Sequence, residues 1–101
     1  MDEPPAYRRV AEALLAEDPA VVEGQMMGMP ALKADGKMFG GCFDGALVVK
    51  IGRERVQELI SSGRARCFDP SSRDRPMKDW AQVPEPDDDW VALALEARGL
   101  L

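Results

Sequence analysis

The sequence predicts an α+β domain in which helices pack on an antiparallel sheet. Two turns, at residues 34–37 and at Asp44-Gly45, separate short apolar runs, and Asp-Gly at such places is typical of β-hairpins because glycine accepts a positive φ. Helical spacing of apolar residues occurs before and after these runs. The predicted order is α-β-β-β-α-β-β-α, and strands joined by tight turns are antiparallel neighbours.

The first predicted helix begins at Pro4 or Pro5, because a proline in the first helical turn loses no hydrogen bond. Pro19 ends this helix, since the residue before a proline is biased away from helical angles. One apolar stripe at helical spacing is formed by Tyr7, Val10, Ala11, Leu14 and Leu15. We expect this stripe to pack on the sheet.

The first strand is predicted at residues 23–27. Gly28 and Pro30 disturb it, because proline cannot donate a hydrogen bond to a neighbouring strand, and the strand is therefore kinked, bulged or at an edge. Residues 31–34 continue the strand into the first Asp-Gly turn.

Two more strands complete the central stretch. The second covers 37–43, and the third covers 46–51 and is apolar on both faces up to Lys50, as in a central strand. Alternation along the second strand places two sets of side chains on opposite faces, namely Phe39, Gly41 and Phe43 against Met38, Gly40 and Cys42.

The second half of the chain repeats these signals. A short helix covers 53–62 and ends before Gly63, which suits the positive φ that follows many helices. Two strands follow at 65–68 and at 79–83, the latter around Trp80. The run Asp87, Asp88 and Asp89 favours a helix start. The apolar face of this last helix is formed by Trp90, Leu93, Ala94 and Ala97.

Composition bounds the class of protein. The chain has 101 residues, 46% of them hydrophobic, which suits a single domain over 1–101 with one core. No apolar run reaches the roughly 20 residues of a membrane-spanning helix, and the acidic N-terminus is unlike a secretory signal. We therefore expect a cytoplasmic protein without membrane contact. The net charge of −5 disfavours binding to nucleic acid, which draws on Lys and Arg.

No catalytic residue, metal site or cofactor is predicted. The chain has no histidine, the commonest general base and metal ligand. Cys42 and Cys67 lack the spacing of a zinc or redox motif, and we interpret both as buried apolar residues. Turn chemistry explains Asp35 and Asp44, and the glycines match no phosphate-binding loop. These observations predict a protein that is not an enzyme.

Two groups of side chains are candidate binding sites. Methionine adapts to varied surfaces, so the residues at the disturbed end of the first strand are candidates for partner binding or, alternatively, for the core: Met26, Met27 and Met29. An Arg-rich loop is a candidate anion site, although neighbouring aspartates offset its charge: Arg73, Arg75 and Lys78.

Three motifs stand in a characteristic order: Met26-Met27-Gly28, then Asp35-Gly36-Lys37-Met38-Phe39, then Asp44-Gly45-Ala46-Leu47-Val48-Val49-Lys50. Four later motifs follow, at Phe68, Arg75-Pro76-Met77, Trp80 and Val83-Pro84. Together they resemble the N-terminal domain of the TfoX/Sxy family. The resemblance implies a secretion-chaperone-like α+β fold, and it supplies no catalytic residues.

The resulting hypothesis is a non-enzymatic regulatory domain that acts by contact with an unknown protein, or with a second copy of itself as a homodimer. Two alternatives stay open. One is a nucleic-acid-associated regulator of transcription or competence with a basic face made of Lys33, Lys37, Arg73, Arg75 and Lys78. The other is a small-molecule or anion site at the 73–78 loop near Trp80.

Overall fold

The computed structural model describes residues 4–26, 28–69, 77–85 and 89–100, with only the backbone of Met26. The described helices are α1 (Pro5–Glu17), α2 (Arg53–Ser61) and α3 (Trp90–Gly99). The described strands are β1 (Val21–Met26), β2 (Met29–Ala34), β3 (Lys37–Phe43), β4 (Ala46–Lys50), β5 (Arg66–Phe68) and β6 (Met77–Val83). No helix in these ranges is long and apolar enough to cross a membrane.

The described strands form a sheet in the order β1-β2-β3-β4-β6-β5, with antiparallel neighbours throughout. This confirms the predicted α+β class and the predicted order of helices and strands, with two strands in place of the predicted first one. β4 is an interior strand, as its apolar run predicts, and all its residues except Lys50 are buried. Both Asp-Gly turns have positive φ at the aspartate, +53°, and at the glycine, +78°, which is the geometry that a two-residue hairpin requires.

The predicted first strand is wrong in one respect, because it is two strands. β1 and β2 form a hairpin in which Met26 lies opposite Met29, so the chain reverses over residues 27 and 28. Gly28 has a φ of +79°, which glycine adopts without a Cβ penalty. Pro30 lies just before the first residue of β2 that pairs with β3, where its missing N–H is tolerated.

The two faces of the sheet are covered differently. On the helix face, side chains of α1, α2 and α3 pack with strand residues in one core, in which Tyr7, Leu14 and Leu59 are buried. On the opposite face, which we call the helix-free face, the buried cluster consists of strand residues alone: Met29, Ala31, Val48, Phe68 and Trp80.

β3 does not alternate as predicted. A bulge in the β2–β3 ladder beside Lys33 leaves Phe39 without a residue opposite it. Phe39 therefore joins Cys42 in the core of the helix face, whereas Met38 and Phe43 pack against the cluster of the helix-free face. The prediction that Phe39 and Phe43 share a face is wrong for this reason.

Helix ends follow the predictions with one exception. α2 ends at Ser61, and Gly63 has the predicted positive φ, +78°. Asp89 precedes α3, but its φ is +57° and its side chain makes no capping hydrogen bond, so the predicted cap is wrong for this residue. Asp87 and Asp88 lie outside the described residues.

Burial confirms most of the predicted apolar positions. Cys42 is buried as predicted, whereas Cys67 is half-buried. The stripe of α1 is buried except for Leu15, which is 37% exposed and lies at its margin. All four predicted apolar residues of α3 are buried.

Asp18 connects the end of α1 to β1 and to α3. Its Oδ1 atom accepts a hydrogen bond from the N–H of Ala20 at 2.9 Å, and its Oδ2 atom accepts one from Nε of Arg98 at 2.7 Å. The bond from Ala20, and after it the guanidinium of Arg98, lower the pKa of Asp18 below its ordinary value against the opposing effect of desolvation.

Replacing Asp18 with Asn is expected to lower Tm near neutral pH and to have little effect in acid. A carboxyl whose pKa is lower in the folded state contributes stability above its unfolded pKa of about 3.9, and this contribution is lost as the pH falls through the folded pKa. The difference in Tm between wild type and Asp18→Asn, measured by circular dichroism, should therefore shrink below about pH 4. A difference in Tm that keeps a constant size across the acid range would contradict the lowered pKa of Asp18.

Candidate interaction surfaces

Aromatic and sulfur-containing side chains pack together on the helix-free face. The fully buried ring of Phe68 has its centroid 5.3 Å from that of Phe43, in an edge contact, and 6.1 Å from that of Trp80. Met38 and Met77 pack against this cluster and are half-buried. The helix-free face therefore keeps some apolar surface that water reaches.

Two lysines lie beside this cluster. Lys33 of β2 lies opposite Met38 of β3, and Lys50 of β4 lies opposite Trp80 of β6. Residues opposite one another in antiparallel strands project to the same face. Both lysines therefore belong to the helix-free face, where Lys33 is half-buried and Lys50 is exposed.

One more basic residue lies on the same face toward the other edge. Arg66 of β5 is exposed and lies opposite Gln82, which shares a face with Trp80 by strand alternation. Lys78 of β6 is exposed too, but a register shift in the β5–β6 ladder interrupts the alternation between Met77 and Trp80, which both pack on the helix-free face. Alternation therefore assigns Lys78 to neither face.

The carboxylates of the described strands lie on the helix face. Glu23 of β1 lies opposite Leu32, which belongs to the core of the helix face, and Asp79 alternates with Trp80. Lys33, Lys50 and Arg66 form no ion pair with any described residue. Since the whole chain carries −5, everything outside these three residues carries −8.

Ion pairs concentrate on the side of the helices. Nε of Arg55 binds the carboxylate of Glu96 at 3.0 Å, which joins α2 to α3. The guanidinium of Arg8 on α1 binds Glu23 on β1 at 2.6 Å. The hydrogen bond from Arg8 lowers the pKa of Glu23, and partial desolvation opposes it. Arg55 and Arg8 therefore connect elements of the helix side, whereas the basic residues of the helix-free face connect no described elements.

The described residues include only part of the methionine site predicted at the end of the first strand. Met29 is 8% exposed and belongs to the cluster of the helix-free face, so it is mainly a packing residue. The side chain of Met26 and the whole of Met27 lie outside the described residues. Partner binding by these two methionines stays a prediction.

The described residues also include only part of the predicted anion site. Lys78 is exposed on β6, while Arg73 and Arg75 lie outside the described residues. Within the described ranges, no three Cys, Asp or Glu side chains come close enough to hold a metal ion. The predicted anion site included neither Lys50 nor Arg66, although Arg66 belongs to the same Arg-rich part of the sequence and alternation from buried Val48 along β4 is a signal for Lys50.

The fold and these surfaces define a class of protein: a small α+β domain whose antiparallel sheet carries its helices on one face. A family model described as the TfoX N-terminal domain matches residues 12–97. Because the match covers most of the chain, the protein belongs to the TfoX N-terminal domain family. Membership confirms the resemblance seen in the motifs, and the family suggests a regulatory or interaction domain. No curated protein and no solved structure gives a significant match.

Proposed function

We propose that this chain is a non-catalytic regulatory domain that binds an acidic segment of another protein on its helix-free face. The charge of the helix-free face carries this proposal, because three basic residues without described partners, and no carboxylate of the described strands, lie on this face of a chain of net charge −5. A cytoplasmic location is part of the proposal, and it agrees with the structure in that no disulfide joins Cys42 to Cys67.

The dimensions of the face suit an extended peptide. From β2, which carries Lys33, to β5, which carries Arg66, the sheet crosses four strand intervals, a width of about 19 Å, which about six extended residues cover. Half-buried Met38 and Phe43 offer adaptable apolar contacts between these charges. Apolar contact supplies affinity, and the basic residues select an acidic partner and speed its association.

Nucleic acid is the second candidate partner. Lys33 of the predicted basic face lies on the helix-free face, whereas Lys37 lies opposite Ala34 on the helix face. A nucleic acid ranks below an acidic peptide because a long polyanion extends past the basic face and meets the repulsion of the acidic remainder of the chain.

Reversing two charges on the helix-free face, Lys50→Glu with Arg66→Glu, is expected to weaken binding of an acidic peptide about tenfold or more. The probe is a labelled hexapeptide of alternating Glu and Leu, and its Kd is measured by fluorescence anisotropy. The loss follows because each substitution replaces an attraction with a repulsion at the place where the peptide lies.

A matched control keeps the same change in net charge. Lys37→Glu with Arg53→Glu alters two exposed residues away from the helix-free face, and we expect less than about a twofold change in Kd. Equal losses in both double variants would mean that the peptide senses only overall charge, which would overturn the proposal. Binding of a thymidine oligonucleotide with steep salt dependence, without binding of the peptide, would favour the second candidate.

A further inference from the structure

β1 is the longer edge of the sheet, and the usual protections are absent from it. It has six residues, contains neither Lys nor Pro, and pairs with β2 without a bulge. The opposite edge, β5, has three residues, a register shift and Arg66. Short strands, bulges and basic residues are devices that prevent pairing at an edge, so β1 is the edge that is fit to accept another strand.

Alternate residues of β1 turn their backbone amides away from β2. The N–H of Val21 donates to the carbonyl oxygen of Asp18 at 3.1 Å, so this N–H is not part of the β1–β2 ladder. Because hydrogen-bonded pairs alternate in antiparallel strands, the amides of Glu23 and Gln25 point in the same outward direction. No described residue forms a backbone hydrogen bond with these outward groups, and both side chains are exposed.

We propose that a second copy of this chain pairs with β1 in antiparallel orientation, with Gly24 on the two-fold axis. In this register Glu23 faces the partner's Gln25, the two residues exchange both backbone hydrogen bonds, and symmetry repeats the exchange. A register shifted by one residue would bring the helix face of one copy beside the helix-free face of the other. The proposal goes beyond the proposed function and does not depend on it.

A register with Glu23 on the axis is disfavoured by two observations. It would place two carboxylates opposite each other, and like charges in that position are destabilising. It would also need the outward N–H of Val21, which already donates to Asp18. The register centred on Gly24 uses only amides that have no described partner.

Gly24 suits the axis because a glycine inside a strand often marks a place where another backbone approaches closely. The side chain of Lys33 lies beside Gly24 on the helix-free face, since a Cβ atom at residue 24 would lie 3.1 Å from its Cε atom. Because like charges repel, the flexible lysines of the two copies turn away from the axis in the dimer. The Arg8–Glu23 ion pair, at 2.6 Å, holds the carboxylate on the helix face, where the partner's Gln25 projects.

Cysteine cross-linking tests the axis directly. Opposite residues of a pair that is not hydrogen-bonded have Cα atoms about 4.5 Å apart, which is within the range of a disulfide. Gly24→Cys, in a Cys67→Ser background and with a mild thiol oxidant, is expected to form a covalent dimer. Val22→Cys is the matched control on the same strand and face, and it is expected to stay monomeric because it does not face itself.

Substitutions at Gln25 test the register on the intact chain. Gln25→Lys places a cation opposite the partner's Glu23 and is expected to tighten the dimer Kd, whereas Gln25→Glu is expected to weaken it, each by about 2- to 30-fold in sedimentation equilibrium. The proposal is overturned if the chain is monomeric at high concentration and Gly24→Cys does not cross-link in preference to Val22→Cys. It is also overturned if a dimer forms whose Kd is unchanged in both Gln25 variants. None of these outcomes bears on peptide binding by the helix-free face.

Discussion

Replacing Phe68 with Ala is expected to lower the free energy of unfolding by about 3–5 kcal/mol. The ring is fully buried although it lies on β5, a strand of three residues at the edge of the sheet. It contacts the rings of Phe43 and Trp80, at centroid distances of 5.3 Å and 6.1 Å. Truncation removes this buried apolar surface and leaves a cavity that a sheet held by backbone hydrogen bonds fills only partly.

Phe43→Ala is the matched control, because the same atoms are removed from the other side of the contact. Phe43 is half-buried, so part of its ring is already hydrated, and the expected loss is below about 2 kcal/mol. Urea denaturation followed by tryptophan fluorescence measures both variants. Equal losses would mean that the cluster on the helix-free face contributes no more than a surface contact, and the two-sided organisation of the sheet would then be wrong.

Local signals made α1, β3 and both Asp-Gly hairpins predictable from the sequence. Prolines that can only start a helix, apolar residues at helical spacing and Asp-Gly pairs each act within a few residues, so no knowledge of distant segments is required. The predicted second strand coincides with β3, Lys37–Phe43, because an Asp-Gly turn fixes each of its ends.

The hairpin of β1 and β2 was not predictable in the same way. Gly28 and Pro30 signal a break, but a break inside one strand and a reversal between two strands share that signal. The reversal is decided by pairing, since β2 has β1 on one side and β3 on the other. This choice depends on contacts between segments that the local pattern does not contain.

The candidate binding face, too, could be predicted from the sequence only in part. Strand alternation places Lys50 beside buried Val48, and this much is contained in the sequence. The sequence does not indicate which face of the sheet the helices cover, because β4 is apolar on both sides. The bulge at Phe39 also separates Met38 from the residues with which alternation predicts that it shares a face. The face to which Lys33 projects therefore follows only from its observed pairing with Met38.

Replacing Gly41 with Ala is expected to destabilise the protein by about 1–3 kcal/mol relative to the same change at Gly40. A Cβ atom at Gly41 would lie 2.6 Å from the carbonyl oxygen of Pro30 and 3.4 Å from Cα of Ala31. These are backbone atoms of β2, so the strand itself has to move, and β2 is held by its pairing with β1 and β3. Thermal and urea denaturation of both variants measure the difference.

Gly40→Ala is a close control because the two glycines are adjacent in β3 and neither has a positive φ. A Cβ atom at Gly40 would approach the carbonyl oxygen of Val48 only to 3.4 Å, an ordinary contact. Both substitutions restrict the unfolded chain equally, which favours folding by about 0.4–1 kcal/mol, so the difference between them isolates the steric cost. If Gly41→Ala were as stable as Gly40→Ala, the close approach of β2 to β3 would be wrong. The assignment of Met29 to the helix-free face would then lose its basis, since Cε of Met29 lies 3.5 Å from the same Cβ position.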